Sequence, residues 1–191
     1  MLIEKSLVFL EDQLNTYLKL KSGVQNNRVA ISGVVRQNGS LKIPNNHVGI
    51  SLINIEEEAH AKTQGKMPVD NGVMTAQGNP DIKINLYLLF CANFSEYSES
   101  LKAVSQVLSF FQSRNVFSGN RYPSLGPSID RLIFDLQSPS FEQLNHIWGM
   151  IGAKYMPSVL FKMRMLVIQE GEADELAYPL KEVRIKGKGH S

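Results

Sequence analysis

Only one of the 191 residues is cysteine, Cys91. A lone cysteine forms no internal disulfide, and this one lies in the apolar run Leu88–Ala92, so the sequence reads as that of a chain folded in a reducing compartment. Charge of either sign is equally scarce in surplus: 20 Lys and Arg face 18 Asp and Glu, a formal net charge of +2. That near-balance argues against a surface built for nucleic acid or an anionic membrane. No stretch reaches the ~18 apolar residues of a membrane span, and Met1–Ser6 carries no basic segment leading into an apolar one. Cytoplasmic folding, without secretion or a membrane span, is the expectation. The two Asn-x-Ser sequons, at Asn38 and Asn93, carry no weight in that setting. A chain of this size should nonetheless bury roughly 70% of its unfolded surface, so it needs neither disulfide nor metal to fold.

Periodicity is what the sequence does have. Ile3, Leu7, Leu10, Leu14 and Tyr17 recur at spacings of four, three, four and three, which predicts an opening amphipathic helix that ends near Gly23. Val29, Ile31 and Val35 alternate as a short edge strand ahead of the turn pair Asn38-Gly39. Val48, Ile50 and Leu52 alternate in a second strand, which leaves the protein through Glu56, Glu57 and Glu58. Residues 59–80 hold no sustained period and read as a long loop that is either mobile or binds something. From Asp81 to Phe94 both alternating faces are apolar, the pattern of a central strand covered on both sides.

A second helix is predicted from Ser95 as N-cap, with Tyr97, Leu101, Val104, Leu108 and Phe111 as its buried stripe. Residues 116–127 read as a connection bearing Gly and Pro, and Leu132, Phe134 and Leu136 as a strand. Ser140 with Gln143 is a capping box, followed by Leu144, Ile147, Trp148 and Ile151 on one helix face. Phe161, Met163, Met165 and Val167 form a last strand whose other face is partly wet, read as bordering solvent. The fold class is therefore α/β (α+β): a single domain over residues 1–169, a mixed β-sheet flanked by helices. Residues 170–191, acidic then basic, read as an extended C-terminal tail that can add a strand to a neighbour.

The chemistry-bearing residues do not assemble into a catalytic or metal motif. Cys91 sits in the most apolar strand, away from the positive charge that favours a thiolate. His47, His60, His146 and His190 are scattered, and the position four beyond His146 is Met150, so no His-Glu-x-x-His or Cys-x-x-Cys pair exists. Neither phosphate-binding glycine motif is present. Glu56–Glu58 can hold a cation or serve as acid and base, but a charge run at a strand end reads first as a solvated end or an interface patch. Phe110, Phe111 and Phe117 with Arg114 and Arg121 imitate an aromatic and basic RNA surface, yet helical spacing sends Phe111 to the core. No catalytic, cofactor or metal residue is assigned.

The runs Ile50–Glu58, Asn85–Phe90, Leu108–Gln112, His146–Gly149 and Pro157–Arg164 resemble, in order, the N-terminal domain family of the cap, or tail-terminator, proteins of contractile injection systems. The likeness covers about residues 1–170. It implies a non-enzymatic assembly protein whose six copies form a ring on the distal end of an inner tube and its sheath. The partners it implies are copies of the chain itself, the inner tube protein and the sheath protein, within a phage-tail-like particle made in a bacterial cytoplasm. Candidate interface residues are then Glu56, Glu57 and Glu58, with Lys66, Met67 and Asp70 of the long loop. Tyr178, Leu180, Val183, Arg184 and Ile185 of the tail join them. A second reading is a small α/β enzyme or ligand-binding module that takes an anion at the strand-to-helix junction Asn93–Tyr97.

Overall fold

The opening stripe does form a helix, α1 (Leu2–Ser22), with Leu7, Leu10 and Leu14 buried and Gly23 in the left-handed conformation just beyond it. The structure, a computed structural model, describes residues 2–58 and 82–167. The predicted loop 59–80, the boundary at 169/170 and the tail lie outside the described residues. The strands are β1 (Val29–Ile31), β2 (His47–Glu57), β3 (Ile82–Asn93), β4 (Val116–Ser118), β5 (Ile129–Gln137) and β6 (Ser158–Val167). The other helices are α2 (Tyr97–Ser113) and α3 (Phe141–Ile151).

The six strands form one mixed sheet in the order β1-β2-β3-β6-β5-β4, parallel between β1 and β2 and antiparallel elsewhere. The edge position of β1 and the central position of β3 match the sequence reading. β6 does not border solvent at an edge: it lies between β3 and β5, and only its second face, with Lys162 and Arg164, is half wet. Alternation reports how dry a face is and is blind to the number of neighbours a strand has. β4 falls inside the segment read as a connection, because three residues are too few to carry a period.

Helices α1 and α2 cover one face of the sheet over a core of aromatic rings. Phe111 stacks at 4.3 Å from Phe161 and 4.7 Å from Phe134, while Phe9 meets Phe117 edge-on at 5.5 Å. Phe117 is fully buried, so it belongs to packing and to no RNA surface. The α2 stripe is displaced from its prediction. Ser100, Ala103, Val107, Phe110 and Phe111 face inward, whereas Tyr97 and Leu101 are exposed. Small residues at Ser100 and Ala103 let the helix sit close to α1 and the sheet, which turns the bulkier flank outward. The N-cap is Glu96 and not Ser95, and its side chain makes no capping bond.

Among the described residues the opposite face carries one helix, α3, over a smaller core of Val34, Ile43, Leu89, Cys91, Trp148 and Leu160. The predicted capping box forms in full, with Ser140 Oγ accepting from the Gln143 N–H and Gln143 Oε1 from the Ser140 N–H. Leu144, Ile147 and Ile151 pack beside Trp148 as predicted, and Gly152 ends the helix at φ 70°. The segment between β1 and β2 folds onto this face through a Val35–Leu41 bridge around Asn38-Gly39. It presses Ile43 on Gly49, where a Cβ would lie 2.6 Å from the isoleucine side chain, so β2 can be covered there only because Gly49 has none.

Candidate interface surfaces

β2 carries the acidic run, and a bulge decides where each carboxylate points. Register shifts between Leu52 and Asn54, so Leu52 stands opposite Leu88 but Asn54 opposite Tyr87 and Glu56 opposite Asn85. One inserted residue exchanges the faces of everything after it. Glu56 therefore lies on the α3 face, where its Oε2 accepts the Tyr87 hydroxyl at 2.8 Å, while Glu57 opposite Ile84 lies on the other face. Glu58 donates its backbone N–H to Lys83 O at 3.0 Å. Burial, then the hydrogen bond and negative charge of Glu56, raise the Tyr87 phenol above its ordinary pKa. The glutamates thus alternate sides as expected of a strand, and among the described residues no group of His, Cys, Asp and Glu could hold a metal ion.

Below the reach of α3 the sheet is open and polar. Arg164 Nε donates to Asp135 Oδ2 at 2.9 Å, and Lys162 lies over the Tyr87 ring. Both members of the Arg164–Asp135 pair are about two-fifths exposed, so its contribution is roughly 0–1 kcal/mol. Asn85, buried between these residues, has no hydrogen-bond partner for its Oδ1.

The sheet edges differ in how they are finished. On β1, Val29 turns its N–H and C=O outward, and Asn15 of α1 takes both: Oδ1 accepts from Val29 and Arg28 N–H at 3.0 and 2.9 Å, and Nδ2 donates to Val29 O at 3.1 Å. Asn15 is 5% exposed. A buried amide on a helix has closed the edge at Val29 against further pairing. Asn15 announces this role only faintly in the sequence, as a poor helix former beside the apolar stripe. β1 reaches only from Val48 to Ile50 of β2. From Leu52 to Glu57 the outer side of β2 has no strand beside it among the described residues, and its only bond to a backbone group is local, the Ile55 N–H to Asn54 Oδ1 at 2.9 Å. Of the other predicted interface residues, Lys66, Met67, Asp70, Tyr178, Leu180, Val183, Arg184 and Ile185 lie outside the described residues.

The alternative reading, an anion at the start of α2, meets the wrong charges. Glu96 is the N-cap and Glu99 stands in the first turn, two carboxylates where an anion would approach. Asn93 is occupied, its Nδ2 donating to Ile43 O and Pro44 O at 2.9 and 3.2 Å. The adjoining cleft, about 290 Å³, sets Arg28 and Lys102 around Glu99. The hydrogen bond from Lys102 and then its charge hold the Glu99 carboxyl below the usual range. Cys91 is wholly buried and its thiol is pushed up to about 12 by burial, the opposite of a nucleophile. His47 Nδ1 faces Asn45 O at 2.8 Å, and His146 is exposed on α3.

The fold is shared with proteins that end tubes. It matches the sheath/tube terminator, in its extended state, of an extracellular contractile injection system, PVC. The TM-score is 0.58 at 14% identity, over 100% of this chain and 65% of that one. It also matches the tube-terminating cap of the anti-feeding prophage, with a TM-score of 0.54 at 16% identity, over 94% of this chain and 61% of that one. The chain therefore spans less than two thirds of the length of either protein. No curated protein matches it. The model of the Pvc16 N-terminal domain matches residues 8–182, nearly the whole sequence, and the chain belongs to the Pvc16 N-terminal domain family.

Proposed function

We propose that this chain is a structural cap of a contractile injection system, a non-enzymatic terminator that ends growth of the inner tube and anchors the last layer of sheath. The observation that carries the reading is the fold it shares, over its full length, with a sheath/tube terminator and a tube-terminating cap. The chemistry of the described residues supports it: carboxylates that alternate sides of a strand, an inert thiol and an anion site closed by glutamates leave no convergent reactive group. Six copies in a closed ring is the form we assign. Head-to-tail contacts that close present one face to the tube end and another to solvent. The copies are made in the bacterial cytoplasm and remain in the assembled particle. No helix of the described residues is long and apolar enough to cross a membrane.

Co-assembly with purified tube protein tests the reading. Rings on tube ends, and tubes of uniform length only when the chain is present, are the expected result. Tubes of unchanged length distribution, or a monomer whose thermal stability rises with a small anion, would overturn it in favour of a ligand-binding module.

A further inference from the structure

We infer that the open outer side of β2, Leu52–Glu57, is the seat of a strand supplied by the chain's own residues 180–186. The inference goes beyond the terminator reading and does not need it. A strand edge of this length is a template for pairing, and among the described residues it is left without a strand, while Asn15 fills the outward groups of Val29 on the adjoining β1. The opposite edge offers less. β4 is three residues long, and its Ser118 carbonyl is taken by the N–H groups of Arg121 and Tyr122.

The occupant follows from charge, pattern and reach. β2 leaves the protein with Glu56 and Glu57 exposed on opposite faces and Ile55, just before them, 51% exposed. Residues 180–186 read Leu-Lys-Glu-Val-Arg-Ile-Lys, with Val183 and Ile185 alternating against Arg184. If Arg184 stands opposite Glu56, a branched apolar residue stands opposite Ile55 in either direction, Ile185 if the strands are antiparallel and Val183 if they are parallel. One placement thus satisfies both the charge and the apolar pair. The chain is also delivered to the right place. β6 ends at Val167 opposite Ile82, the same end of the sheet at which Glu57 stands opposite Ile84, two strands away. The seat outside β2 lies one spacing further, three strand spacings or about 14 Å from β6. Residues 168–179 can span about 40 Å, more than twice the gap.

Amide hydrogen exchange on the full chain tests this. In the parent protein the Leu52 and Glu57 amides should exchange slowly, and Val183→Pro with Ile185→Pro should speed them at least about tenfold while the amides of β3 stay unchanged. Glu56→Arg and Arg184→Glu should each speed exchange, and the two together should restore the slow rate. Fast exchange in the parent, or slow exchange that ignores the prolines, overturns the inference. Slow exchange found only at concentrations where copies associate overturns the intrachain seat and gives the strand to a second copy. Because the readout uses the isolated chain, its failure leaves the tube-length test standing, and the reverse.

Discussion

The two faces of the sheet are built to different standards. Under α1 and α2, seven phenylalanines interlock across helices and strands, and the cover runs across the sheet. Under α3 the buried core among the described residues is six side chains with Tyr87 packed at its margin, and Lys162, Arg164 and Asp135 are half exposed. The lesson is that the burial that stabilises the fold is divided unequally between the faces. One face is committed to holding the domain together, and the other is covered only in part, next to the β2 edge that carries the acidic run.

Three measurements sharpen or break that comparison. The largest effect belongs to the aromatic side, where Phe117→Ala should cost about 3–5 kcal/mol in a denaturant titration. Leu144→Ala on the partly buried inner side of α3 should cost less than half as much, and equal losses would dissolve the ranking of the two cores. The next effect comes from the thiol under α3. Its pKa is raised from 9.0 to about 12 by burial, so the unfolded chain loses its proton first. Stability is then full below pH 9 and falls toward pH 12 by about 1.4 kcal/mol per pH unit. Cys91→Ala should flatten that slope, and an unchanged slope would show that Cys91 titrates freely in the fold. The smallest effect is expected at Trp148, whose buried indole N–H has no partner among the described residues. Trp148→Phe removes the unsatisfied donor along with some packing, so its net change should stay within about 1 kcal/mol. A loss above 3 kcal/mol by thermal melting would mean that the N–H is bonded in solution.

Much of this was legible because periodicity and capping are local. The α1 stripe, the two-faced β3 and the Ser140–Gln143 box each follow from residues within a few positions of one another, and each stands as predicted. The misses share a cause as well. The α2 stripe turned because Ser100 and Ala103 allow close approach to elements distant in sequence, and Ser95 lost the cap for reasons no local pattern carries. Of the candidate interface, Glu56–Glu58 could be found as a charge run at a strand end. That Glu56 answers Tyr87 while Glu57 turns the other way depends on a bulge that hydropathy does not mark. The edge-closing role of Asn15 was beyond reach, since its partners lie 13 and 14 residues away on another element.

By its sequence alone the protein was bound to be a mixed domain of helices and strands, because side-chain period is a property of short stretches. Which strand lies in the middle, where Asn15 meets the sheet edge and which face each helix covers were settled only when distant segments met. Hydrogen bonds between strands and the depth to which a helix sits are set by partners that local sequence does not name.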